Sequence, residues 1–286
     1  MFGAILALIV RIISNPLANL FQKILTKEYS SILINFYSYL LLAIVSIVGL
    51  NFSNFDYHSY SYEFWFYVCS AGLLCTLGSI SLIKALEYGQ MSVLAPINSY
   101  KCIVGLFFGL LLLKEIPTIQ EMFGLILIIF GSLFIFGTLK EGLSFDILKR
   151  KDVQLRFCAL FCTGCEAVIL KKIILISSPA ICFYFWCITG CIFSLLLIVL
   201  FKKRLKLLKI KEICTIVGIA LALGLMQYST NIVFKYINVG ISLALFQLSG
   251  IVGIIMGYFI FKESNIKLKI LGALIMIIGS CFILIK

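Results

Sequence analysis

One lysine stands by itself in the stretch INSYKCIVG, residues 97–105, and no further charge follows it until Lys114. Two other charges are stranded in the same way. Arg11 lies halfway along the apolar run 2–22, and Glu166 is the acidic residue that sits deep in such a run. A charged side chain at the centre of a membrane helix costs about 2.5–3.5 kcal/mol, so these three would together cost on the order of 8–10 kcal/mol facing lipid. An interior polar cavity is their natural place. Two cations against one carboxylate leave it net positive, and an anionic group, a carboxylate or phosphate, restores the balance. Lys101 is the candidate anion anchor, because it lies roughly ten residues from each end of its segment, too deep to snorkel. Snorkelling stays open to Arg11. Glu166 can hold a substrate amine, exchange a proton during turnover, or pair with Arg11 or Lys101 as a structural lock.

Uncharged polar residues extend the pattern at helical spacing. RIISNPLANLFQ puts Arg11, Asn15, Asn19 and Gln22 on one stripe, with Pro16 as an expected kink. Asn98 shares a face with Lys101 just after Pro96, which frees the carbonyl of Ser92. Gln227, Asn231 and Lys235 recur at steps of four, and Ser242, Gln247 and Ser249 follow on the next segment. The expected substrate-binding set is therefore Lys101, Arg11, Glu166, Asn15, Asn19, Asn98, Gln227, Asn231 and Gln247. Thr76 and Ser79 are weaker candidates. Tyr37, Tyr39, Tyr100, Tyr228 and Trp186 can frame a pocket, although with 25 Phe and 13 Tyr in the chain most aromatics must serve packing or interfacial anchoring.

The elements that must position these residues follow from composition. Of 286 residues 62% are hydrophobic and 13% charged, with a mean hydropathy of +1.14, too little charge to cover a soluble surface. The fold class is an all-α integral membrane protein. MFGAILALIVR has no basic leader and no small-residue cleavage site, so it reads as a retained membrane helix. A span needs about 20 apolar residues. Ten such runs occur, near 2–22, 31–50, 64–86, 92–113, 118–138, 153–173, 179–201, 212–234, 240–261 and 266–285. The links between them are too short for a soluble domain.

The two halves match at a shift of 148 residues, from Glu115 to Glu263. KEIPTIQEMFGLILIIFGSLFIF aligns with KESNIKLKILGALIMIIGSCFIL, and the shift also pairs Gly105 with Gly253, Gly109 with Gly257, Gly124 with Gly272, Gly131 with Gly279 and Lys23 with Lys171. A repeat of five helices is odd, so its second copy must enter the bilayer upside down. The expected architecture is ten transmembrane helices as two inverted repeats, 1–138 and 153–286, joined by a cytoplasmic linker 139–152, around a central polar cavity. GLFFG and GIIMG are read as close-packing motifs. Glu115 and Glu263 are read as favouring the N-terminus of the helix that follows each.

These features resemble the EamA branch of the drug/metabolite transporter superfamily: two five-helix repeats, each ending in Lys-Glu, a Gly nine residues on and Gly-Ser seven later. The resemblance covers nearly the whole chain. It implies a cavity lined by helices 1, 3, 4, 6, 8 and 9, with 5 and 10 peripheral, and substrates ranging from amino acids to sugar phosphates and drugs.

The net charge of +12 gathers in links beside the apolar runs, which points to orientation in a bilayer and away from nucleic acid. Lys23, Lys27, Lys140, Lys149, Arg150, Lys151, Lys202, Lys203 and Arg204 fall on the side opposite the N-terminus. That side is expected in the cytoplasm of a plasma (inner) membrane, with both termini outside, a departure from the way many relatives are drawn. No metal or cofactor is expected. The eleven cysteines read as small apolar residues, His58 as a solvated loop residue, and Cys158, Cys162 and Cys165 as packing. Without a GxxxxGK[ST] loop an ATP-driven pump in this chain is excluded. With one His, no HExxH and no close Asp pair, a membrane-embedded enzyme has no visible catalytic group.

The expected function is that of a secondary transporter, an exporter or exchanger, for a small organic metabolite with an anionic group, working by alternating access. A carboxylate-bearing amino acid-like compound is preferred, since a phosphate would be better served by a cluster of cations and Gln247 stands where a second lysine would be. The alternative is a flippase or carrier for a phosphorylated or lipid-linked anion. Proton coupling, and monomer against homodimer, stay open.

Overall fold

A backbone in lipid must satisfy its own hydrogen bonds, and each apolar run does so as a helix. The computed structural model describes residues 2–52, 56, 59–89, 94, 97–98, 100–135, 149–205, 208–252 and 266–284. Over these the regular structure is helical: α1 (Phe2–Leu25), α2 (Ser31–Phe52), α3 (Tyr62–Tyr88), α4 (Lys101–Leu113), α5 (Ile119–Ile135), α6 (Lys151–Ile176), α7 (Pro179–Leu200), α8 (Ile210–Tyr236), α9 (Val239–Leu245) and α10 (Ile266–Leu284). A 3₁₀ turn, Phe246–Leu248, follows α9. Among the described residues there is no strand, and α1, α2, α3, α7 and α8 are long and apolar enough to cross a membrane. Their outward faces carry exposed apolar side chains such as Ile44, Val45, Phe66 and Leu196. Pro96, Ser92, His58, Gly253, Gly257, Glu263, residues 139–148 and the later part of the expected span 240–261 lie outside the described residues.

Several helices outrun the apolar stretch that marked them, because a helix stops at a cap and not where hydrophobicity falls. α6 continues to Ile176, and α7 opens on Ser178, whose Oγ accepts the N–H of Ile181 (3.2 Å), with Pro179 in the first turn. Thr118 and Glu121 form a reciprocal capping box at α5, Thr118 N–H to Glu121 Oε2 (2.8 Å) and Glu121 N–H to Thr118 Oγ1 (3.2 Å). α4 ends on left-handed Lys114 (φ 56°), after which the Glu115 N–H returns to Gly109 O (3.2 Å).

That return turns Glu115 toward a helix other than the one expected. With α5 already capped by Thr118 and Glu121, Glu115 Oε2 accepts the N–H of Val239 at the start of α9 (2.7 Å). Its other oxygen pairs with Lys171 of α6, whose ammonium also donates to Ile237 O (2.8 Å). Three segments are thus tied at one end of the bundle.

The helix pairs follow the 148-residue shift. α3 packs on α6 and α1 on α8, two contacts that the shift exchanges, while α2 packs on α7, α4 on α9 and α5 on α10. Finer contacts follow it too: Lys23 Nζ donates to Gly89 O (3.4 Å) as Lys171 does to Ile237 O. Gly124 opposes Gly279 and Gly131 opposes Gly272. A Cβ on Gly124 would stand 2.6 Å from Gly279 O, and one on Gly131 would stand 2.7 Å from Gly272 O. α4 and α9 also meet backbone to backbone, a Cβ on Gly240 standing 2.8 Å from Leu106 Cα.

At the opposite end, in the α1–α2 link, buried Tyr29 donates its hydroxyl to Glu212, which also accepts the Lys209 N–H (2.7 Å) and so holds the start of α8. The bond raises the phenol from 10.0 to about 12. A raised folded-state value means that the contribution is whole below pH 10 and is lost as pH climbs toward 12. Thermal unfolding of wild type and Tyr29→Phe is therefore expected to differ at neutral pH and to converge over that alkaline window. A gap of constant size across it would show that the phenol proton is not involved.

Candidate functional site

The polar stripes of α1, α6 and α8 meet at a cavity of about 130 Å³. Four turns of α1 supply Arg11, Asn15, Asn19 and Gln22; Asn98 and Lys101 come from the start of α4 and the residues before it; Glu166 comes from α6, Gln227 from α8 and Gln247 from the turn after α9. Eight of the nine residues expected from the sequence therefore line one space. Asn231 stands behind it: fully buried, it donates to Pro179 O (3.1 Å) and accepts from Gln227 Nε2 (3.0 Å). Among the described residues none from α5 or α10 reaches the cavity, whereas α2 and α7 each send one aromatic ring, Tyr39 and Trp186. The other proposed aromatics, Tyr37, Tyr100 and Tyr228, are not among the lining residues.

Most lining groups are held in place by neighbours. Asn15 Nδ2 donates to Ser249 Oγ (3.3 Å), and Gln247 Nε2 to Asn98 O (3.2 Å), which ties the residues before α4 to the turn after α9. Arg11 Nε donates to Thr230 Oγ1 (2.8 Å), and its guanidinium lies 4.7 Å from the Phe246 ring centre. Its Nη1 is buried without a partner. Glu166 Oε1 accepts the indole N–H of Trp186 (2.7 Å), and Trp186 in turn packs against Tyr39 with ring centres 4.8 Å apart. The carboxylate is thus oriented by an aromatic donor, and no ion pair holds it among the described residues.

Lys101 differs from these. Its ammonium has no hydrogen-bond partner among the described residues, and the charges of Glu166, Arg11 and Arg156 all act on it. Gly164 of α6 lets it approach: a Cβ there would crowd Val104 Cγ1 at 2.7 Å and touch Lys101 Cγ at 3.8 Å.

Arg156 is the residue that sequence reading missed. It falls in the first turn of the expected run 153–173, only a few residues beyond Arg150 and Lys151, and was not set apart from those link charges, yet it is 8% exposed and lines the cavity with Ala159, Thr163, Glu166 and Leu170. Helical spacing from Glu166 back through Thr163 and Ala159 was the available signal. Its Nε donates to Leu94 O (3.2 Å). None of the four cavity charges recurs at the 148-residue shift, where Arg11, Lys101, Arg156 and Glu166 correspond to Ala159, Ser249, Leu8 and Ala18.

Comparison with known proteins gives the family. The model of the EamA-like transporter family matches residues 1–137 and again 152–285. The chain belongs to the EamA-like transporter family. It is accordingly a multi-pass membrane protein of transporter type. The fold is similar to that of a protein of known crystal structure, with a TM-score of 0.78 over 99% of this chain and 97% of that one, at 12% identity. An uncharacterized protein of Methanocaldococcus jannaschii is 34% identical over 65 residues, 23% of this chain. The match spans 47% of that relative's length.

Proposed function

We propose that this EamA-like protein is a secondary transporter for a small organic metabolite anchored by an anionic group, a carboxylate above all, as in an amino acid-like compound. The two repeats, 1–138 and 153–286 with the linker 139–152 between them, lie in opposite orientation in the bilayer and rock about the cavity to open it to either side in turn. The basic links face the cytoplasm and both termini face out. Lys101 and Arg11 pair the anion; Asn15, Asn19, Asn98, Gln227 and Gln247 supply hydrogen bonds, with Asn231 bracing Gln227. Glu166 takes a substrate amine or a proton.

One observation carries the reading: a lysine ammonium lines the cavity and has no hydrogen-bond partner among the described residues, in a chain whose other cavity groups are mostly engaged. A cation at this depth without a partner is costly, and a solute that pairs with it recovers part of the cost. The test is thermal unfolding of purified protein against amino acids, phosphorylated sugars, nucleotides and organic cations. A ligand at 100 times its Kd stabilises by about 2.7 kcal/mol, and Lys101→Met is expected to abolish the shift that anionic compounds give. Stabilisation by organic cations, or an unchanged response in Lys101→Met, would make Lys101 structural and end the anion reading.

A further inference from the structure

The cavity holds more positive charge than the sequence suggested. Arg11, Lys101 and Arg156 line it against the single carboxylate of Glu166, an excess of two charges among the described lining residues. Each cation has donors to spare. Lys101 has no hydrogen bond among the described residues, Arg11 Nη1 is buried without a partner, and Arg156 bonds Leu94 O through Nε, one of the five N–H donors a guanidinium carries. A zwitterion brings no net charge, and a monoanion would balance half of the excess.

We propose that the solute taken by this cavity carries two negative charges, as a dicarboxylate or a phosphomonoester does, with Arg156 pairing the second; the inference rests on the transport reading above. Two guanidinium groups and an ammonium suit such a group, since a guanidinium fork matches carboxylate and phosphate oxygens two at a time. Size points the same way. At about 130 Å³ the cavity is close to one that admits benzene, so it has room for roughly six to eight heavy atoms and none for a nucleotide or a lipid-linked anion in this conformation.

The test uses the full chain in detergent at pH 8 and ligand pairs of matched size that differ by one negative charge: succinate against succinamate, malonate against malonamate, and methyl phosphate against methyl sulfate. Kd is read from ligand-dependent unfolding for wild type, Arg156→Gln, Arg156→Lys and Lys101→Met. The doubly charged partner is expected to bind at least about tenfold more tightly, a difference of about 1.4 kcal/mol. Arg156→Gln is expected to bring the two within about twofold by weakening the doubly charged partner far more than the singly charged one, and Arg156→Lys to retain the preference. The succinate and phosphate arms separate the two sources of charge. Equal affinity within every pair overturns the inference, as does a loss in Arg156→Gln that falls equally on both partners. In those cases anions still bind through Lys101 and the transport reading stands. If no anion of either charge shifts the unfolding, both fall.

Discussion

Lys171→Met is expected to destabilise the protein by about 3–5 kcal/mol, because it leaves the Glu115 carboxylate buried without its cation. The partners' side chains are only 9% and 11% exposed, so water cannot replace what is lost. Glu115 would keep the Val239 N–H and Ile237 O would lose its donor, loosening the α4–α5 link, the end of α6 and the start of α9 together. The double variant Glu115→Gln/Lys171→Met is expected to be more stable than Lys171→Met alone. It removes both charges, while the amide oxygen of Gln still accepts from Val239. A double-mutant cycle read by equilibrium unfolding measures this coupling directly. If the two single losses simply add, the pair is not energetically linked.

A comparably large loss, about 3 kcal/mol, is expected for Gly131→Leu or Gly279→Leu. A Cβ at Gly131 would lie 2.7 Å from Gly272 O and 3.0 Å from Met276 N; one at Gly279 would lie 2.7 Å from Gly124 O. These are backbone atoms, so no rotamer change relieves the clash and α5 must separate from α10. Gly3→Leu is the control, with nothing within 4 Å of its Cβ and an expected effect inside about 0.5 kcal/mol. Unfolding midpoints of the three variants that cluster within error would show that the α5–α10 seam yields as easily as an exposed helix end.

How far the sequence could be read depended on whether the signal was local. Periodicity located the helices and brought Arg11, Asn15 and Asn19 to one stripe, because a helix face is set by spacing alone. The 148-residue shift singled out Gly124 and Gly131 before their partners were seen. Glu115 was legible as structural and illegible in its target: the competing cap at Thr118 and Glu121 is local, but Val239 lies 124 residues away. Arg156 was lost for the opposite reason, since its neighbours in sequence disguised a side chain whose neighbours in space are Leu94 and the cavity. The Trp186 bond to Glu166 joins two helices through a residue that composition counts as apolar.

The shift that exchanges the helix seams and fails at the cavity charges has a consequence for ancestry and for cargo. If one gene doubled, its copies kept the surfaces by which they grip each other, Gly124 with Gly279 and Gly131 with Gly272, while their linings differ, Arg11 answering Ala159 and Glu166 answering Ala18. On the transport reading, grip and taste are separately mutable: the lining can be edited without disturbing the seams that hold the helices together. Because none of the four lining charges has a counterpart in the other repeat, a solute held as proposed above would meet unlike chemistry from the two halves of the chain.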